Sequence, residues 1–154
     1  MSPWDLTSAA ACQPWRLWTG HLAHWDLPHA GVNLVACALP LVLLEWSTRS
    51  RLLKILPLAL PLLSLLLLPF LGERPYRGAS GLACFLWVAA AFPLARVGRW
   101  REAAVFGLGA CLKAGLELTR GIHPLGGAAG WEGLPAAHAL GAALGLAWGV
   151  HWWA

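Results

Sequence analysis

Charge is what this chain has least of. Asp, Glu, Lys and Arg make up 12% of its 154 residues, about half the roughly 25% of an ordinary soluble domain. So few charged side chains leave little polar surface to offer water, which argues against an ordinary soluble fold. Alternating apolar–polar strands are also missing. The apolar runs are continuous and rich in Leu and Ala, which excludes a membrane β-barrel. The four cysteines, Cys12, Cys37, Cys84 and Cys111, are scattered with no C-x-x-C pair. That excludes a disulfide framework and a zinc knuckle; inside apolar runs, Cys acts as a small apolar residue. The N-terminal MSPWDLTSAAACQPWR has neither a basic n-region nor an apolar core, so no signal peptide is expected. The net charge of +4 implies no nucleic-acid partner, because the basic residues cluster beside apolar runs, where they orient membrane proteins.

What the chain does have is hydrophobic length. It is 58% hydrophobic, in recurring runs long enough to cross a bilayer. The expected fold class is all-α, a polytopic membrane helical bundle forming a single domain over 1–154. Residues 1–28 form an outer loop, and spans are expected at about 29–45, 52–71, 78–95, 103–118 and 135–153. Pro40 should kink the first span without ending it, since neighbouring helices can satisfy a freed carbonyl. The second span carries no chemistry and should face lipid. The segment TRGIHPLGGAAGWEGLP reads as a mobile Gly-rich loop.

The turns after the first and third spans hold six of the eleven basic residues (Arg49, Arg51, Lys54, Arg96, Arg99, Arg101) and should be cytoplasmic. Trp46, Trp100, Trp131, Trp152 and Trp153 fall at span ends, as in an interfacial aromatic belt. With this orientation His29, Ser80 and His138 all begin helices that descend from the outer face, so all three lie at a similar shallow depth.

These three carry the candidate chemistry. Ser80 sits in GASG, between Gly78 and Gly81, where small residues allow close backbone approach; it is not a G-x-S-x-G elbow, because Leu82 stands in place of the last Gly. His138 heads the last span, where an ionisable side chain is by default a functional candidate. Gly141, Gly145 and Gly149 below it repeat every fourth residue and form a smooth face for a neighbouring helix. His29 and Asn33, four apart, share a helix face. Asn33 lies one turn inside the span, where an unpaired amide is expensive; it serves either as interhelical glue or as a donor to a developing oxyanion. His24, just before, is a possible second donor. His21, His24, Asp26 and His29 also form a metal-like cluster, but the spacing lacks the i, i+4 pair and adjacent acid of H-E-x-x-H, so no metal and no cofactor is expected. Lys113 and Glu117, four apart in the fourth span, read as a mutually neutralising pair. Glu45 is expected to cap the inner end of the first span.

Together these residues resemble the rhomboid family of intramembrane serine proteases. The resemblance is carried by Trp15-Arg16, His24 with His29-x-x-x-Asn33, Glu45, Gly78-x-Ser80-Gly81, and His138 followed by Gly141-x-x-x-Gly145. The compact form, with TGHLAH, YRGASG and the Lys113–Glu117 span, is most similar to the bacterial rhombosortase subgroup. The resemblance implies an intramembrane serine endopeptidase of the bacterial inner membrane, its site opening to the periplasmic side. Its partner would be a single-span membrane protein bearing a C-terminal Gly-Gly sorting tail. Ser80 would be the nucleophile and His138 its base. Asn33, His24 and the Ser80 amide would form the oxyanion hole, with His29 in support. Neither Asp5 nor Asp26 lies in a span, so a dyad is implied.

The chain departs from the family pattern twice. The span that usually precedes the Trp-Arg loop has no counterpart in the fourteen residues before Trp15. The aromatic residue usually found one turn below the serine is Cys84, so the base is held either less firmly or by another group. The competing expectations are a catalytically silent relative that binds transmembrane helices and a His-rich metal protein. Retention of both Ser80 and His138 favours the enzyme.

Overall fold

A computed structural model describes residues 2–73, 75–121 and 133–153, without the side chains of 152 and 153. The Gly-rich loop and Trp131 fall largely or wholly outside the described residues. The protein is all-α, 76% helical, with no strand among the described residues. A short α1 (Arg16–Thr19) is followed by five long helices: α2 (Leu27–Leu43), α3 (Trp46–Leu67), α4 (Ser80–Arg96), α5 (Trp100–Arg120) and α6 (Pro135–Trp153). One helical stretch, Trp46–Phe70, is long and apolar enough to cross a membrane; Leu27–Leu43 and Ser80–Arg96 are shorter apolar helices. The second helix begins at Trp46, six residues before the expected 52, so Arg49 and Arg51 lie on its first turns and not in a loop.

Local chemistry fixes the helix ends. The Asp26 carboxylate accepts from the His29 amide at 2.7 Å, and Pro28 sits in the first turn of α2, a strong N-terminal signal. Gly121, at φ +62°, ends α5 in the left-handed conformation that only Gly adopts freely. Glu45 begins α3 without a side-chain cap. The end of α2 is instead held by Arg99, whose guanidinium donates to the Leu43 carbonyl at 2.8 Å and to Glu102 at 2.9 and 3.0 Å.

α2 runs through Pro40, and α3 through Pro57 and Pro61. Each proline lacks the N–H that would bond the carbonyl four residues earlier. Two of those carbonyls find indole donors. Trp87 Nε1 of α4 donates to Ala36 O, freed by Pro40, at 2.7 Å. Trp18 Nε1 donates to Pro57 O, freed by Pro61, at 2.9 Å.

α4 is the central helix, packed by α2, α3, α5 and α6. Its closest neighbour is α6, through the glycine face. A Cβ on Gly141 would lie 2.0 Å from Gly81 O, one on Gly145 2.5 Å from Phe85 O, and one on Gly149 2.1 Å from the Phe92 ring. Only glycine permits these approaches.

The segment before α2 folds over one end of the bundle. Leu6 and Tyr76 exchange backbone hydrogen bonds at 3.0 and 2.9 Å. The fully buried Asp5 accepts from the Ser2 amide and pairs with Arg77. Arg16 donates to Asp5 O at 2.6 Å. His21, also fully buried, donates through Nε2 to Ser64 Oγ of α3 at 2.9 Å, while that hydroxyl donates to Leu17 O at 2.7 Å. Burial lowers the His21 pKa to about 4, against a smaller opposing effect of its bond to Leu60 O. The neutral ring is therefore the native form.

Candidate active site

A cavity of about 440 Å³ opens under this cap. α2 contributes His29 and Asn33, α4 Ser80, Cys84 and Trp87, α5 Lys113 and Glu117, and α6 His138; Tyr76 and Arg77 line its rim. Most of its remaining lining is apolar.

Ser80 is the first residue of α4. The chain reaches it through Gly78, at φ +120°, a conformation open to Gly. A Cβ on Gly78 would also lie 2.8 Å from the His29 ring and 3.3 Å from Asn33 Nδ2. Gly78 thus lets the α2 side chains come up against the approach to Ser80. The first intrahelical bond of α4 runs from the Ala83 amide to Ala79 O at 2.8 Å, so the amides of residues 80–82 have no partner within the helix. Such amides favour negative charge.

His138 lies one turn into α6 and is 3% exposed. Its ring is therefore packed inside the helical bundle. Gly81 and Ala137, the neighbours of Ser80 and His138, are in backbone contact; a Cβ on Gly81 would lie 2.9 Å from Ala137 O. The glycine crossing of α4 and α6 therefore brings both residues to one cavity wall.

Asn33 is buried, and its amide donates to His29 Nε2 at 3.0 Å, leaving its second N–H uncommitted by that bond. His24 does not line the cavity. It bonds Leu22 O at 2.8 Å through Nδ1 and stacks edge-on against His29, ring centroids 5.1 Å apart. Its ring supports that of His29, and its Nε2 is buried with no hydrogen-bond partner. His21, His24, Asp26 and His29 are dispersed among separate partners, and no group of three or more metal-ligating side chains converges among the described residues.

Sequence reasoning missed two residues. Tyr76 is buried with its hydroxyl beside Ser80 and the Gly81 amide but in no well-formed hydrogen bond; burial raises its pKa. Glu117 is the larger omission. The Lys113–Glu117 pair exists, but it is not self-contained. One Glu117 oxygen takes Lys113, and the other takes His138 Nδ1 from the facing helix. The carboxylate that bonds His138 is thus a glutamate on α5 and neither of the aspartates. The signal for it was a carboxylate in an apolar run; the i, i+4 lysine supplied a sufficient local partner and concealed the distant one.

Comparison with protein-family models, curated proteins and solved structures finds no match to this chain.

Proposed function

We propose that this protein is an intramembrane serine endopeptidase of rhomboid type, cleaving a single-span membrane protein near the outer face of a bacterial inner membrane. The observation that carries the reading is the shared cavity: a serine at a helix N-terminus and a buried histidine lie beside the contact of Gly81 with Ala137.

The membrane reading is supported by the outward faces. Leu27, Leu34 and Val35 on α2, Leu58 on α3, and Leu108 and Leu112 on α5 are all more than 60% exposed. The longest apolar helix is mostly exposed, unlike the core helix of a soluble protein. Surfaces of this kind suit lipid.

In the proposed mechanism Ser80 Oγ attacks the scissile carbonyl carbon as its proton passes to His138 Nε2. The oxyanion is received by the Ser80 amide at the α4 N-terminus and by the free N–H of Asn33. Collapse expels the amine with the proton from His138. Water, activated by the same ring, then hydrolyses the acyl-enzyme. The similarity to rhombosortases makes a C-terminal Gly-Gly tail with its transmembrane helix the first substrate to try.

The test is co-reconstitution in liposomes with a single-span reporter carrying such a tail. Wild-type protein should release a fragment cut near the outer face, and Ser80→Ala and His138→Ala should release none. Cleavage that persists in Ser80→Ala overturns the proposal.

A further inference from the structure

We infer that Tyr76 is a further catalytic residue, its hydroxyl donating to the tetrahedral oxyanion at the start of α4, beside the Ser80 amide. The inference rests on the protease reading and adds a donor that the mechanism above does not use.

Three observations carry it. The first is a buried group with nothing to bond. Tyr76 lines the cavity that holds Ser80, yet it is only 5% exposed and its hydroxyl has no hydrogen-bond partner among the described residues. Ser80 and the Gly81 amide lie beside that hydroxyl, but neither completes a hydrogen bond with it. A buried hydroxyl left unpaired costs stability, and a partner that arrives with the substrate accounts for it.

The second is where the hydroxyl lies. A Cβ on Gly81 would be 3.2 Å from it, and a Cβ on Gly78 would be 3.3 Å from Asn33 Nδ2. Gly78 and Gly81 flank Ser80 in the chain, so two side-chain donors come up to the start of α4, one before the serine and one after it. The amides of residues 80–82 sit at the same helix end, which favours negative charge.

The third is that the hydroxyl is held in advance. The Tyr76 backbone is tied to Leu6 in both directions. Its ring belongs to a core cluster with Leu6, Leu67, Leu71 and Ala137 and meets the His21 ring edge-on, centroids 5.5 Å apart. A donor fixed this way needs no reorganisation when charge develops. Burial raises the Tyr76 pKa, so the group stays a neutral phenol that can donate. As Ser80 Oγ bonds the carbonyl carbon, the π electron pair moves onto the carbonyl oxygen. Tyr76 donates its hydrogen bond to that oxygen and keeps its proton. On collapse the pair returns to the carbonyl and the phenol is released.

Tyr76 is the one tyrosine in the chain, so a carbon-13 label at Cζ gives a single NMR signal from the whole protein in detergent. The probe is a peptidyl trifluoromethyl ketone, whose hemiketal with a serine carries an ionised oxygen. The adduct on Ser80 should move the Tyr76 signal towards its phenolate position. An unmoved signal in protein that carries the adduct overturns the inference. Tyr76→Phe keeps the ring and deletes the hydroxyl. It should melt at the wild-type temperature or above, because it loses an unpaired polar group. It should cleave the liposome reporter with kcat lowered about 10²-fold and KM little changed, as for a donor engaged only in the transition state. Wild-type kcat in folded Tyr76→Phe, a rise in KM alone, or a lowered melting temperature that marks the hydroxyl as a structural bond overturns the role of Tyr76 and leaves the protease reading intact. Folded wild-type protein that forms no adduct on Ser80 and cuts no reporter overturns the protease reading and this inference with it.

Discussion

His21 and His138 are sealed from solvent to nearly the same degree, at 0% and 3% exposure, yet their surroundings differ in every other respect. His21 bonds a hydroxyl that is already committed to Leu17 O, and it does not line the cavity that holds Ser80. Its work is to fasten the N-terminal segment to α3. His138 bonds a carboxylate, shares a cavity with Ser80, and stands beside an ammonium. A buried histidine with neutral, saturated partners is a fastening. One that bonds a carboxylate and shares a cavity with a serine has surroundings suited to exchanging a proton. The contrast favours two different roles without reference to any relative.

The comparison can be broken most severely at the glycine crossing, which only the His138 region uses. Gly141→Leu drives a side chain into the Gly81 backbone and should destabilise the bundle by upwards of about 3 kcal/mol. Reactivity and folding should be lost together in detergent melts. Next is the oxyanion donor. Asn33→Ala should lower turnover about 10²–10³-fold with little change in melting temperature; an unchanged turnover would reduce Asn33 to helix glue.

His21→Phe sharpens the contrast from the other side. It removes the fastening and the donor to Ser64 Oγ, which should destabilise the protein by about 1–3 kcal/mol, while the folded fraction keeps its reactivity. The same region should be sensitive to acid. The folded His21 pKa is lowered from 6.5 to about 4, so its contribution is fully present above pH 6.5 and is lost as pH falls from there towards about 4. His21→Phe should flatten that part of the stability–pH curve. The smallest effect is expected at Trp87→Phe, which leaves the Ala36 carbonyl unpaired because Pro40 has no N–H to offer. It should cost about 1 kcal/mol or slightly more by denaturant titration.

Much of the architecture was legible because it depends on local composition. Continuous Leu- and Ala-rich runs mark the helices, and a four-residue glycine repeat marks the face of α6 that meets α4. Ser80, Asn33 and His138 could be singled out because polar groups stand out in apolar runs. The charge clusters misled at α3: its basic turn is helix from Trp46, since Arg and Lys are good helix formers. Glu117 was legible as a residue but not as a partner of His138. Twenty-one positions separate the two, and only the α5–α6 packing decides which oxygen faces the imidazole. His21–Ser64 is hidden for the same reason, across 43 positions. His24 could be placed near His29 from the sequence, but its edge-on contact with the His29 ring depends on the turn between them.

The central claim is that Ser80 is activated by His138 and by no other histidine. Its most direct test is peptide-level mass spectrometry of purified protein after reaction with a fluorophosphonate. The account predicts one adduct, on Ser80, present in wild-type protein and in folded His21→Phe and absent in His138→Ala. An adduct on Ser80 that survives in folded His138→Ala, or a modified serine elsewhere with Ser80 untouched, would contradict it.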